Sequence, residues 1–310
     1  MSQPAQIAPE FGPVLQALAA APSIPDSSVE QARAMWDAFL PGEPETLEDV
    51  LDLSVPGHTS ELPARLYRPS RDPEGVVLFL HGGGWVLGGL RSHDIAVRSL
   101  AKRSNWAILA VEYRLAPETP FPGGLEDCYA ALGWLAGKRS EMGLKEKPIV
   151  VAGDSAGGNL AAVVAILARD RHGPHLAGQV LVYPVIDGRR ATRSYDEHGE
   201  GGLLTAADMQ WFWNHYAPAG HALDPLASPI LQTNLKGLPN AFVVTAEFDP
   251  LRDEGCAYAN ALRADGVAVG HVHCPDLPHG FLTFAPMSVS SDKALTMIAE
   301  SIASFGGRQA

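Results

Sequence analysis

Residues 150–162 read VVAGDSAGGNLAA. An apolar run rich in β-branched residues enters Gly153-Asp154-Ser155-Ala156-Gly157, and alanine-rich sequence follows at once. That is a strand, a tight turn and a helix, with a serine at the point of the turn. The Gly-x-Ser-x-Gly spacing keeps bulk away on either side of the serine and lifts its hydroxyl above the end of the strand. Taken alone, the pattern is also that of a tight turn whose glycines serve packing, so the partners of Ser155 decide its meaning.

On either side the chain alternates strand-like and helix-like segments. Upstream, DVLDLSV (49–55) and LPARLYRP (62–69) form a hairpin-like pair, while GVVLFL (75–80) and WAILAVEY (106–113) are short apolar runs of the kind buried strands show. A helical stretch over 95–103 separates those two runs, and GLEDCYAALGWLAGKRSEM (124–142) reads as another helix. Downstream, GQVLVYPVI (178–186), NAFVVTAEF (240–248) and VAVGHVHC (267–274) are strands, with helices expected over 254–266 and 292–305. The fold class is therefore α/β, a mostly parallel sheet of about eight strands with helices on both faces. Two stretches break the rhythm, 1–44 and 188–222, leaving 45–187 and 223–310 as the two parts of the core. SSVEQARAMWDAFL (27–40) carries Val29, Ala32, Trp36 and Phe39/Leu40 at helical spacing. It either packs on the core or joins 188–222 as a cap over a site.

Of 310 residues, 46 % are hydrophobic and 19 % charged, which supplies a sizeable core. A net charge of −12 argues against nucleic acid or an anionic membrane as partner. Cys128, Cys256 and Cys274 form no Cys-x-x-Cys, so neither a disulfide framework nor a cysteine metal site is signalled. VLQALAAA (14–21) does not read as a signal peptide, and the apolar run 160–168 is too short to span a bilayer. A cytoplasmic location is expected.

A nucleophilic serine needs a base, and the base an orienting carboxylate, in the α/β-hydrolase order of serine, acid, histidine. Beyond FVVTAEF lie three histidines: His271, His273 and His279. The first two fall inside a strand. They share a face and raise the thought of a metal pair, but no third ligand stands at suitable spacing, so an ordinary strand face is expected and no metal. His279, in DLPHGF, lies just past a strand end and is the candidate base. For the acid, AEFDPLRDEG offers Asp249 directly after a strand, whereas Glu247 still belongs to the strand and Asp253 and Glu254 read as first-turn residues favoured by the helix dipole. His81-Gly-Gly-Gly-Trp85 follows an earlier strand. Acyl transfer builds charge on an oxygen, and bare backbone N–H groups there stabilise it, which assigns Gly83, Gly84 and Ala156 as donors.

HGGGW, YRLAPETPFP (113–122), GDSAGGN, DPLRDEG and PHGF, in this order, resemble the hormone-sensitive-lipase-like branch of the α/β-hydrolases, the bacterial family IV carboxylesterases. The resemblance implies Ser155 as nucleophile with Asp249 and His279, an oxyanion hole of Gly83, Gly84 and Ala156, and a helical cap made of 1–44 and 188–222. It implies that Arg114, Glu118 and Asp154 brace loops. It implies ester hydrolysis without a cofactor, for which the candidate pocket below suits short or medium acyl chains and aryl alcohols, and dimerisation through the last strand, Val267 to Cys274. Candidate pocket walls are Trp85, Val86, Tyr183, Trp211, Phe212, Phe281 and Leu282, with Trp36 and Phe39 from the cap; each is equally a candidate for the core. A deacetylase using the same three residues, or a binding protein of the same fold, stands as the alternative.

Overall fold

The computed structural model describes residues 6–38, 42–218 and 220–307. Its sheet has eight strands: β1 (Asp49–Pro56), β2 (Glu61–Arg68), β3 (Val76–Leu80), β4 (Ala107–Val111), β5 (Ile149–Asp154), β6 (Gly178–Val182), β7 (Ala241–Phe248) and β8 (Val269–Pro278). The order is β1-β2-β4-β3-β5-β6-β7-β8. β1 and β2 are antiparallel, β2 joins β4 antiparallel, and every other pairing is parallel. The hairpin and the parallel core are those expected from the sequence.

Alternating side chains divide the core in two. Along β3, Val76, Leu78 and Leu80 face one cluster, while Val77 and Phe79 face the other. The first cluster is covered by α4 (Gly123–Lys138), α5 (Ala156–Asp170) and α8 (Arg252–Ala264), and the second by α3 (Leu90–Ser104) and α9 (Val289–Ser304). Because both faces of the sheet are buried, its central strands are apolar without a polar alternate. α5 is buried from Ala156 to Ala168, and its many alanines let it lie close to the sheet. Gly157 takes this furthest: a Cβ there would overlap the Leu80 carbonyl at the end of β3.

α1 (Gly12–Ala20) was not foreseen, and α2 (Val29–Ala38) agrees with the expected helix. α1 has no buried residue and α2 only Ala32. In the segment after β6 lie α6 (Arg193–His198) and α7 (Ala206–Tyr216), with no strand. Thr205 and Asp208 close a capping box at the start of α7, each side chain bonding the other's backbone N–H. α7 is far better anchored than α2, burying Met209, Phe212, Trp213 and Tyr216.

Arg114 braces a loop, as expected, and its partner is Asp127 on α4. That carboxylate is fully buried and accepts from Arg114 N, Nε and Nη2 and from His58 N. Removing it strands a guanidinium and two backbone donors at once. Asp127→Ala is expected to lose about 3 kcal/mol of stability, read as a lower denaturation midpoint at unchanged slope.

Candidate active site

Five parallel strands end on one rim, and the residues that follow them meet there. The β3 end delivers the loop 81–88, the β5 end Ser155, the β6 end Tyr183, the β7 end Asp249 and the β8 end His279. Register does the final alignment. Asp154 pairs with Val182, and Phe248 pairs with Pro278, which sets Asp249 and His279 side by side. The His279 N–H donates to the Phe248 carbonyl at 3.2 Å.

Ser155 sits at φ 55°, ψ −119°, a left-handed conformation that strains a residue with a Cβ. Its N–H donates to Val182 O, and its carbonyl accepts from Val185 N and Asn159 N, so three backbone bonds hold the strained turn. The Ser155 hydroxyl lies 2.9 Å from His279 Nε2, and His279 Nδ1 lies 2.8 Å from Asp249 Oδ2. A carboxylate accepts, so Nδ1 carries the ring proton and Nε2 is the lone pair facing the hydroxyl. Asp249 Oδ1 accepts from Leu251 N at 2.8 Å, which fixes the carboxylate plane. Exposure falls from 8 % at His279 and 7 % at Ser155 to 0 % at Asp249, a relay closed at its carboxylate end.

Beside it runs the glycine loop. Gly83 and Gly84 have φ of 114° and 59°; a Cβ on Gly83 would overlap the Leu87 carbonyl, and one on Gly84 the Phe212 ring. Gly82 N donates to Asp154 Oδ1 at 2.9 Å, tying the loop to the residue before the serine. Among the described residues the N–H groups of Gly83, Gly84 and Ala156 have no hydrogen-bond acceptor. His81, which heads the motif, is stacked on Tyr113 at 4.3 Å, and burial together with nearby His93 lowers its pKa to about 4. The lowered value favours the neutral ring, and its Nδ1 lies 2.8 Å from the Gly82 carbonyl. Burial raises the Asp154 carboxyl, but His93, 3.3 Å away, and the Gly82 N–H outweigh that and hold it below the usual carboxylate range.

The candidate pocket residues fall into three groups. Tyr183, Phe281 and Leu282 are buried beside His279: the Tyr183 ring is 4.7 Å from that of His279 and 4.9 Å from Phe281, and its hydroxyl accepts from Leu282 N. Phe212 and Trp85 flank the glycine loop. The Trp85 indole is only 1 % exposed and stacks on Tyr216 at 4.1 Å, so its ring is core while its backbone shapes the loop. Val86 is fully buried. Trp211 and Trp36 are half-buried at the margin, and Phe39 lies outside the described residues. His271 and His273 both reach Thr245 Oγ1, at 3.0 and 3.1 Å, and His273 Nε2 pairs with Glu247. Among the described residues no group of three or more His, Cys, Asp or Glu side chains is placed to hold a metal ion, and no helix is long and apolar enough to cross a membrane.

Two residues of the site's frame escape a sequence reading. Glu254 lies in the first turn of α8 but turns inward: it is buried, and Oε1 accepts from Ile186 N and Asp187 N in the segment after β6. Arg33, on the outside of an amphipathic helix by pattern, donates Nε to Val86 O and Nη2 to Ala116 O while gripping Glu118 with both Nη atoms. Neither contact leaves a local signature, since each joins segments more than 50 residues apart.

A family profile described as "alpha/beta hydrolase fold" matches residues 77–283. The carboxylic ester hydrolase LipN of Mycobacterium tuberculosis is 46 % identical over 258 residues, 81 % of this chain and 68 % of that protein. An ethyl acetate hydrolase of Pseudomonas putida is 38 % identical over 269 residues, covering 84 % and 83 %. Among solved structures, an esterase of the archaeon Pyrobaculum calidifontis superposes with a TM-score of 0.88 at 40 % identity, over 96 % of this chain and 98 % of that one.

Burial raises the Glu254 carboxyl well above its usual 4.5, so the folded chain keeps a proton that the unfolded chain releases. Its stabilising contribution is complete below about 4.5 and is lost as pH rises through the folded-state value. Glu254→Gln keeps the acceptor for Ile186 and Asp187 without the titration. The variant is expected to lose less stability than the parent between about pH 5 and 8, measured by urea unfolding across that range.

Proposed function

The chain belongs to the α/β-hydrolase fold family, in its hormone-sensitive-lipase-like carboxylesterase branch, and on that footing we propose that it hydrolyses short- to medium-chain acyl esters through Ser155, His279 and Asp249. The observation that carries this reading is the relay of 2.9 and 2.8 Å contacts from hydroxyl to imidazole to carboxylate. Ser155 Oγ attacks the ester carbonyl carbon as His279 Nε2 takes its proton. The carbonyl oxygen, now negative, rests on the N–H groups of Gly83, Gly84 and Ala156. Collapse breaks the bond to the leaving alcohol, which receives the proton from His279. Water then repeats the cycle on the acyl-enzyme, with His279 as base and then acid, and restores Ser155. Asp249 holds the ring tautomer throughout.

Restriction to shorter acyl chains is supported by the closed setting: the Phe212 ring lies on Gly84, and both Ser155 and His279 are nearly covered. The 1–44 segment and the 188–222 segment act as the cap in this reading, with α7 as its inner wall. The exposed edge of β8, paired on one side only, supports dimerisation through that strand with a second copy. Three unpaired cysteines support a cytoplasmic location.

Ser155→Ala is expected to abolish hydrolysis of nitrophenyl acetate and butyrate, and Asp249→Asn to lower kcat by about 10³- to 10⁴-fold by forcing the wrong tautomer. A series of nitrophenyl esters that peaks at long acyl chains would contradict the proposed range. Gly84→Ala, which forces the Phe212 ring away and strains the loop, is expected to cost about 10²-fold in kcat, measured with the same esters.

A further inference from the structure

α2 buries one side chain, yet it sends Arg33 into the loop that carries the bare N–H groups. Nε donates to Val86 O at 2.9 Å, and Nη2 donates to Ala116 O at 2.9 Å. Ala116 N in turn donates to Trp85 O at 2.9 Å, so one guanidinium and one backbone bond fasten 85–86 to 116. The Glu118 carboxylate accepts from Nη1 at 2.8 Å and Nη2 at 2.7 Å and fixes the fork from its outer side.

The contact extends further through the backbone. The Val86 carbonyl belongs to the same planar peptide as the Leu87 N–H, and in a trans peptide the two point in opposite directions. Leu87 N donates to Gly83 O at 2.8 Å, and the Gly83 carbonyl shares its peptide with the Gly84 N–H. Arg33 therefore stands at the head of a chain of two hydrogen-bonded peptide planes that ends at a proposed oxyanion donor. Each bond in such a chain polarises the next, and a cation at its head strengthens the last N–H as a donor. Neither plane can rotate without breaking a bond to the one before it.

We propose that Arg33 is a positioning residue for ester hydrolysis: through Val86 and Gly83 it sets the direction of the Gly84 N–H, and so couples seating of the N-terminal helix to completion of the oxyanion hole. The inference rests on the esterase reading above. Its consequence is that α2 contributes to kcat and not merely to closing the pocket. A substrate bound while α2 is unseated meets a loop whose Gly83 carbonyl keeps its bonds from Val86 N and Leu87 N but has lost the cation that fixes the Val86 plane at the head of the chain.

The test is Arg33→Met, which keeps the aliphatic stem, beside Arg33→Lys, which keeps the charge facing Glu118 but gathers its donors on one nitrogen and lacks the planar fork that spans Val86 O, Ala116 O and the Glu118 carboxylate. With nitrophenyl butyrate, both are expected to lower kcat by about 10-fold or more while KM moves by less than about 3-fold. A nitrophenyl phosphonate gives a second readout: Ser155 Oγ bonds phosphorus, nitrophenolate leaves, His279 takes the proton, and the phosphoryl oxygen must enter the same hole. Its trapping rate is expected to fall with kcat. Unchanged kcat in either variant, recovery of kcat by lysine, or a change confined to KM would overturn the proposal. Should Arg33→Met fail to fold, Arg33→Lys decides alone, with thermal unfolding as the check. Ser155→Ala separates the levels: if it stays active, the esterase reading fails; if it is inactive while the Arg33 variants match the parent, only this inference does.

Discussion

The packing of Gly157 against the carbonyl of Leu80, where a Cβ would have less room than at any other described glycine, is what the site depends on. It presses the first turn of α5 onto the end of β3, so the turn bearing Ser155 and the loop bearing Gly83 and Gly84 begin from one point of contact. Gly82 then reaches Asp154 with its N–H, and the loop runs alongside the elbow. A methyl group at 157 would overlap the Leu80 carbonyl and push the proposed nucleophile away from the proposed oxyanion donors. The strain stored at Ser155, of order 1–3 kcal/mol, is tolerated because the surrounding backbone bonds leave it no alternative.

The two segments outside the α/β rhythm are built to different standards. α7 is capped at its start, buries aromatics and lays Phe212 on the glycine loop. α2 has little apolar burial and depends on one polar side chain reaching inward. Low apolar burial gives a segment a low local unfolding free energy, so the N-terminal helices belong to the less stable end of the structure and α7 to the more stable end. Both approach Glu118, which pairs with Arg33 and lies in the field of His215 on α7.

Much of this was legible in the sequence because each signal was local. Buried parallel strands show as apolar runs, the elbow shows as glycines two residues either side of a serine, and His279 is marked by lying just beyond a strand. The geometry brings Ser155, His279 and Asp249 together at hydrogen-bonding distance. What escaped depends on distance along the chain. Glu254 carries the composition of an ordinary helix start, and only the arrival of residues 186–187 turns it into a buried acid. Trp85 reads as a pocket wall from its place in the motif, whereas the stacking partner that draws its ring into the core is Tyr216. Arg33 sits on the polar side of its helix, and nothing within ten residues hints at Val86.

Ser155 and His279 are 124 residues apart, and His279 directly follows the last strand of the sheet. A chain emerging from the ribosome completes its elbow and glycine loop long before β8 exists. Long-range pairings of this kind are also slow to form. Throughout that interval the hydroxyl has no base and is an ordinary alcohol. On the proposed mechanism Ser155 becomes reactive only when the sheet closes, and the unfinished polypeptide leaves acyl groups around it untouched.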